Sequence, residues 1–166
     1  MGVKFKSSKN EFPKMNKNIN TIKGKKVIAG AMEGEHAWLA GIHEYGCRIT
    51  VSPKMRAYLH HKGLHLKKGT TTITIPERSF LRSSWDEHID EVKSSASRAL
   101  PDVIAGTMSS DQYCKMVGLQ LASMIKDYAR DLSSPPNHPF TVSNKNSSNP
   151  LVDTGDMIES ITYKVE

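Results

Sequence analysis

The chain is poor in the residues and patterns that most active sites are made from. Its two cysteines, Cys47 and Cys114, lie far apart with no CxxC spacing. That excludes a disulfide framework and a thiolate-rich metal centre, and it leaves two reduced thiols in an intracellular setting as the expectation. No apolar run approaches the roughly 18 to 20 residues that cross a bilayer, so no membrane partner is expected. The basic N-terminus MGVKFKSSKN has no apolar stretch behind it, so no secretory leader is expected either. There is no GxSxG elbow, P-loop or GxGxxG. His43-Glu44 begins like a zinc-protease HExxH, but the position that should hold the second histidine is Cys47. Carboxylates are absent from Cys47 to Pro76, so His60, His61 and His65 have no acidic co-ligand nearby. Gly63 also weakens any helix that would pair His61 with His65. Asp153-Thr154-Gly155 has Pro150 just before it and an amphipathic turn after it, which suits a turn or helix cap better than an aspartic-protease strand. No cofactor, metal or catalytic residue is expected, and the chain is read as a non-enzyme.

Positive charge is plentiful but uneven. Residues 1–26 hold eight lysines against Glu11 alone, so they carry +7 of a total of +6 and the other 140 residues sum to −1. A second basic patch within the acid-free stretch contains Lys54, Arg56, Lys62, Lys67 and Lys68. These five are candidate contacts to a neighbouring subunit or to DNA. At 166 residues, of which 37% are hydrophobic, the chain is long enough for one domain with a real core.

The strongest periodic signal follows Pro76. Leu81, Trp85, Ile89, Val92, Ala96 and Ala99 recur at helical spacing and predict a long amphipathic helix that breaks at Pro101. A capping box, Ser109 with Gln112, opens a second long helix whose face carries Val117, Leu121, Met124, Ile125, Tyr128 and Leu132. Leu81, Trp85, Ile89 and Val92, with Val117, Leu121, Ile125 and Tyr128, form the expected core. Phe12, Met15, Ile19 and Ile22 predict a short helix over about 13–22, and residues 1–11 read as disordered.

Strands are expected over 25–31, 48–51 and 70–75, with a short helix over 35–46, and a last strand carries Ile161, Tyr163 and Val165. Residues 53–69 read as an elongated hairpin connection, long enough to mark a functional or mobile arm, and the proline- and asparagine-rich 133–150 as a flexible tether. The fold class is α+β: a small, mostly antiparallel sheet, two long helices packed on one face, and extended arms. Residues 1–24 form a basic arm with a short helix, and 25–166 a single domain.

Three blocks, in order, resemble the virion morphogenesis and tail-completion proteins of tailed phages, including the Mu-like group and siphophage neck proteins. The first is Ile42 to Gly46, followed by the Ile49 strand and Ser52 to Arg56. The second is Ile75 to Arg82, and the third Pro150 to Tyr163. The resemblance covers roughly 25–166 and departs at Ser79, where the family often has proline. It gives Glu44, Tyr45, Gly46, Pro76, Arg78, Phe80, Leu81, Arg82, Asp153, Thr154 and Gly155 a structural role. It implies a ring-forming, non-catalytic subunit of the neck that joins head to tail, found in the virion and, during assembly, in the host cytoplasm. Its implied partners are copies of itself, other neck and tail proteins, and phage DNA touched without sequence preference. A small cytoplasmic protein that binds nucleic acid non-specifically through residues 1–26 and 54–68 is the alternative expectation.

Overall fold

The computed structural model describes residues 10–145 and 147–166. In chain order the elements are α1 (Phe12–Ile22), β1 (Val27–Ala31), α2 (Gly34–Tyr45), β2 (Cys47–Thr50), α3 (Pro53–His61), β3 (Thr72–Ile75), α4 (Phe80–Ala105), α5 (Ser110–Asp131), α6 (Pro139–Lys145), α7 (Asp156–Glu159) and β4 (Ile161–Val165). The α+β class stands. Of the disorder expected for 1–11, residues 1–9 fall outside the described residues.

The strands form two separate antiparallel pairs rather than one sheet. β1 pairs with β4, from Val27 opposite Val165 to Ala31 opposite Ile161, so the C-terminal strand does fold back on an early one. β2 pairs with β3, from Cys47 opposite Ile75 to Thr50 opposite Thr72. Gly46 explains the split. Its φ of +67° turns the chain sharply out of α2. The β2–α3–β3 unit then makes nearly all its close contacts within itself.

Helix α5 is the middle layer. It lies on the β1/β4 pair on one side and against α4 on the other, so α4 packs mainly on α5 and meets the strands at Phe80, in one apolar cluster with Ile161. The capping box forms as expected: Ser109 Oγ accepts from Gln112 N at 3.1 Å, and Gln112 Oε1 from Ser109 N at 2.9 Å. Being covered on two sides, α5 buries small residues as well as large ones: Gly118, Ala122 and Ala129 beside Leu121 and Ile125. The Tyr163 ring lies where a Cβ at Gly118 would sit, so the strand can approach only because 118 is glycine. Val117 and Tyr128 are half-buried.

Helix α4 corrects two expectations. It runs through Pro101 to Ala105 and stops at Gly106, whose φ of +80° and bonds to the Asp102 and Val103 carbonyls make a left-handed cap. Proline removes the donor that residue 97 would have met, but Ser97 and Pro101 both face solvent, where water can satisfy the freed carbonyl. Buried Val103 holds the last turn down. The buried side of α4 is Phe80, Ser84, Val92 and Val103, rotated from the predicted stripe. Leu81 and Ile89 are half-buried, and Trp85, expected in the core, is 51% exposed. Ser84 fills the site facing inward because its hydroxyl donates to the Leu81 carbonyl at 2.9 Å and so needs no other partner.

Two predicted loops are built segments. Residues 53–61 are a helix, begun by Ser52, whose hydroxyl accepts from Met55 N, and by Pro53 in its first turn. In the tether, α6 forms over Pro139–Lys145. Asn149 then fastens the return: its amide donates to the Ala129 and Arg130 carbonyls at the end of α5, and its Oδ1 accepts from Leu151 N and Val152 N. Cys47 is half-buried and Cys114 buried, both as free thiols.

Candidate functional site: a buried charged junction and a basic hairpin tip

Helix α4 begins without a cap from its own Ser79 side chain. Glu44, near the end of α2, does that work from 37 residues away. Its carboxylate is 1% exposed and accepts from Leu81 N at 2.8 Å and Arg82 N at 3.1 Å, two of the N–H groups that a helix leaves unpaired at its start. It also accepts from Ser79 Oγ at 2.8 Å and Arg82 Nε at 2.8 Å. Ser79, the departure from the family pattern, thus contributes a hydrogen bond that proline could not. Arg82 reaches back to the Glu44 carbonyl and to Glu77, and its guanidinium stacks 4.9 Å from the centre of the Tyr45 ring. Hydrogen bonds to Glu44 and Glu77 raise the Arg82 pKa further above its ordinary value.

Arg78 ties the second block to the tether. It is 4% exposed; Nε donates to the Pro135 carbonyl at 2.8 Å, and Nη2 to the Pro136 carbonyl and to Asn137 Oδ1. Its backbone N–H closes the end of α2 on the His43 carbonyl at 2.7 Å. His43 is pushed down to about 4 by burial first, then by the Arg78 and Lys145 charges, and its Nδ1 has no partner among the described residues. Gly46 completes the corner: a Cβ there would lie 2.8 Å from Glu77 N and from the Ile75 carbonyl oxygen.

The third block joins through the core. Phe80 packs in one cluster with Ala40, Leu151, Met157, Ile158 and Ile161. Gly155, at φ +95°, precedes α7, and the Thr154 hydroxyl donates to Asp156 Oδ2 at 2.7 Å; Asp153 and Thr154 are exposed. Pro76 is half-buried and Tyr45 exposed, so the first two blocks meet at one junction, while Asp153 and Thr154 of the third stand in solvent.

The basic candidates lie elsewhere, on the tip of the β2–α3–β3 unit. Lys54, Lys62, Lys67 and Lys68 are exposed there. Arg56 is not available in the same way: its guanidinium donates to the Leu66, Lys67 and Thr70 carbonyls and braces the return path to β3. The expected long connection is therefore a helix and a braced return rather than an open loop. Gly63, at φ +92°, ends α3, and the His65 ring packs edge-on against His60 at 4.3 Å, rather than joining His61 on one helical face. Among the described residues no group of three or more His, Cys, Asp or Glu side chains is placed to hold a metal ion. Among them no helix is long and apolar enough to cross a membrane.

No protein-family model matches the chain, and neither does any curated protein or any solved structure.

Proposed function

We propose that the protein is a non-catalytic subunit of a tailed-phage neck, a ring-forming tail-completion protein that joins head to tail. The observation carrying this is the division of labour between its two charged regions. The residues at the junction, Glu44, Arg78 and Arg82 of the first two blocks, are committed to holding α2, α4 and the start of the 133–150 return together. The β2–α3–β3 segment projects from that body as a braced hairpin with four exposed lysines and no carboxylate. A rigid body that extends a basic finger suits a subunit that must reach a neighbour or line a channel containing DNA. Weak contacts of this kind gain strength when many copies act together.

The test is to replace residues 51–71 by Asn-Gly, since Thr50 and Thr72 are directly opposed and a two-residue turn can close the hairpin. The shortened protein is expected to fold, and virion preparations to accumulate filled heads and separate tails. Joined particles at normal yield would contradict the proposal.

The same acid-free tip favours a second function, non-specific nucleic-acid binding by the isolated chain. That alternative requires tight duplex binding whose affinity falls steeply with salt, with a slope set by the number of phosphates neutralised. The neck proposal expects only weak binding by a single copy.

A further inference from the structure

Helix α1 leaves most of its apolar stripe uncovered. Phe12 is 78% exposed, and Met15 and Ile19 are exposed as well. A stripe of this kind normally faces a core. Here only the Ile22 edge of the stripe is held: Ile22 is half-buried, and the neighbouring Asn18 amide donates to the Ile104 carbonyl at 3.1 Å near the C-terminal end of α4. No carboxylate occurs from residue 12 to 32, and Lys14, Lys17 and Lys23 flank the stripe.

A matching surface exists elsewhere on the same helix pair. Between α4 and α5, closed at one end by residues 133–135, runs a groove of about 950 Å³. Val92, Met124 and Leu132 contribute apolar surface to it. Five carboxylates, of Glu77, Glu87, Glu91, Asp127 and Asp131, line it against the guanidinium groups of Arg78 and Arg98. Gln120, also in its wall, has a buried Oε1 with no donor among the described residues, and α1 carries the exposed amides of Asn16 and Asn20 beside its stripe.

We infer that α1 of one copy docks in the α4/α5 groove of the next. Docking of an amphipathic helix in a groove is a common recognition mode, anchored at positions such as i, i+3 and i+7, here Phe12, Met15 and Ile19. This groove is mixed, with Met124 and Leu132 among charged and polar neighbours, so opposite charge carries much of the match. The chain's own α1 is held at the far end of α4, a helix of 26 residues and so about 39 Å long. The two surfaces are different patches, so the contact is heterologous and runs head to tail, which closes into a ring or extends into a filament. The inference deepens the neck proposal by naming the joint; it rests on that proposal for the purpose of the joint, while the joint itself rests on these two surfaces.

Sedimentation of the full chain tests it with two variants altered at exposed positions, each first shown to melt like the parent. Phe12→Asp with Ile19→Asp spoils the helix, and Glu91→Lys with Asp131→Lys spoils the groove. The parent is expected to self-associate, and each variant alone to need about tenfold or more higher concentration to do so. An equimolar mixture should form dimers and nothing larger, because one intact joint remains between the two variants. Reversing Lys54, Lys62, Lys67 and Lys68 to Glu should leave association unchanged. The joint is overturned if the parent stays monomeric, if either variant assembles like the parent, if the mixture forms no dimer, or if the lysine reversal abolishes assembly, which would make the hairpin the occupant. The neck proposal survives any of these, because it is decided by head-to-tail joining in virions.

Discussion

Around Glu44 the charged side chains are held by several bonds each, and two of them are almost fully buried; at the tip of the β2–α3–β3 hairpin four lysines stand in solvent. The first set is expensive to place and cannot be moved without disturbing the fold, because a buried charge that loses its partners keeps its desolvation cost. The second set adds little to stability and so is available for a partner. Arg56 shows the boundary between them. It belongs to the tip by sequence, yet its guanidinium bonds three carbonyls and makes it part of the scaffold. Charge density along the chain therefore does not separate structural from partner-facing residues; the bonds each group makes do.

Substitutions can break or sharpen this contrast, and the largest effect is expected at the corner of the junction. Gly46→Val combines an unfavourable positive φ with a Cβ against the backbone of Ile75 and Glu77. It should cost about 3 to 4 kcal/mol in urea unfolding, or prevent folding. Glu44→Ala removes the cap of α4 and one partner of Arg82. Because Arg82 is half exposed, the expected loss is about 2 to 3 kcal/mol rather than the full cost of breaking a buried pair. Arg78→Ala should cost about 2 kcal/mol. It should also make residues 133–150 a new site of proteolytic cleavage, whereas Arg78→Lys, lacking the planar fork, should recover only part of the protection.

A smaller effect follows from pH. The folded protein keeps His43 neutral down to about 4, whereas the unfolded chain takes up a proton there below about 6.5. The unfolded state thus binds more protons in that window, so stability falls as pH drops from about 6.5 toward 4 and this contribution levels off below. Allowing for partial solvent contact, about 1 to 2 kcal/mol is expected. The slope of melting temperature against pH should be shallower in His43→Asn. The smallest stability effect belongs to the tip: reversing Lys54, Lys62, Lys67 and Lys68 to Glu should change unfolding by less than about 0.5 kcal/mol. A large loss there would erase the distinction between the two regions.

Periodicity made much of the fold legible. The stripes of α4 and α5 and the capping box at Ser109 are local signals that local hydrogen bonds and burial enforce, while the stripe of α1 marks a helix whose apolar residues stay largely exposed. What was not legible depends on partners distant in sequence. Nothing near Glu44 marks it as the cap of a helix that starts at residue 80. The proline- and asparagine-rich return has no apolar period, because Arg78 and Asn149 hold it through side-chain bonds to backbone carbonyls rather than through a buried face. Helix α3 did leave a signal, Ser52 followed by Pro53, which the surrounding lysines and glycines obscured. Trp85 was misplaced because apolar spacing fixes a stripe but not its centre. The neighbours of α4 are reached through Phe80, Ser84 and Val92, and a serine does not register as part of an apolar stripe.

The most direct test of the central claim is to locate labelled copies of this protein in purified virions by electron microscopy. The account predicts label in a closed ring at the joint between head and tail, with hairpin tips directed at a neighbouring subunit or the channel. Label confined to another part of the particle, or none in particles that are fully joined, would contradict it.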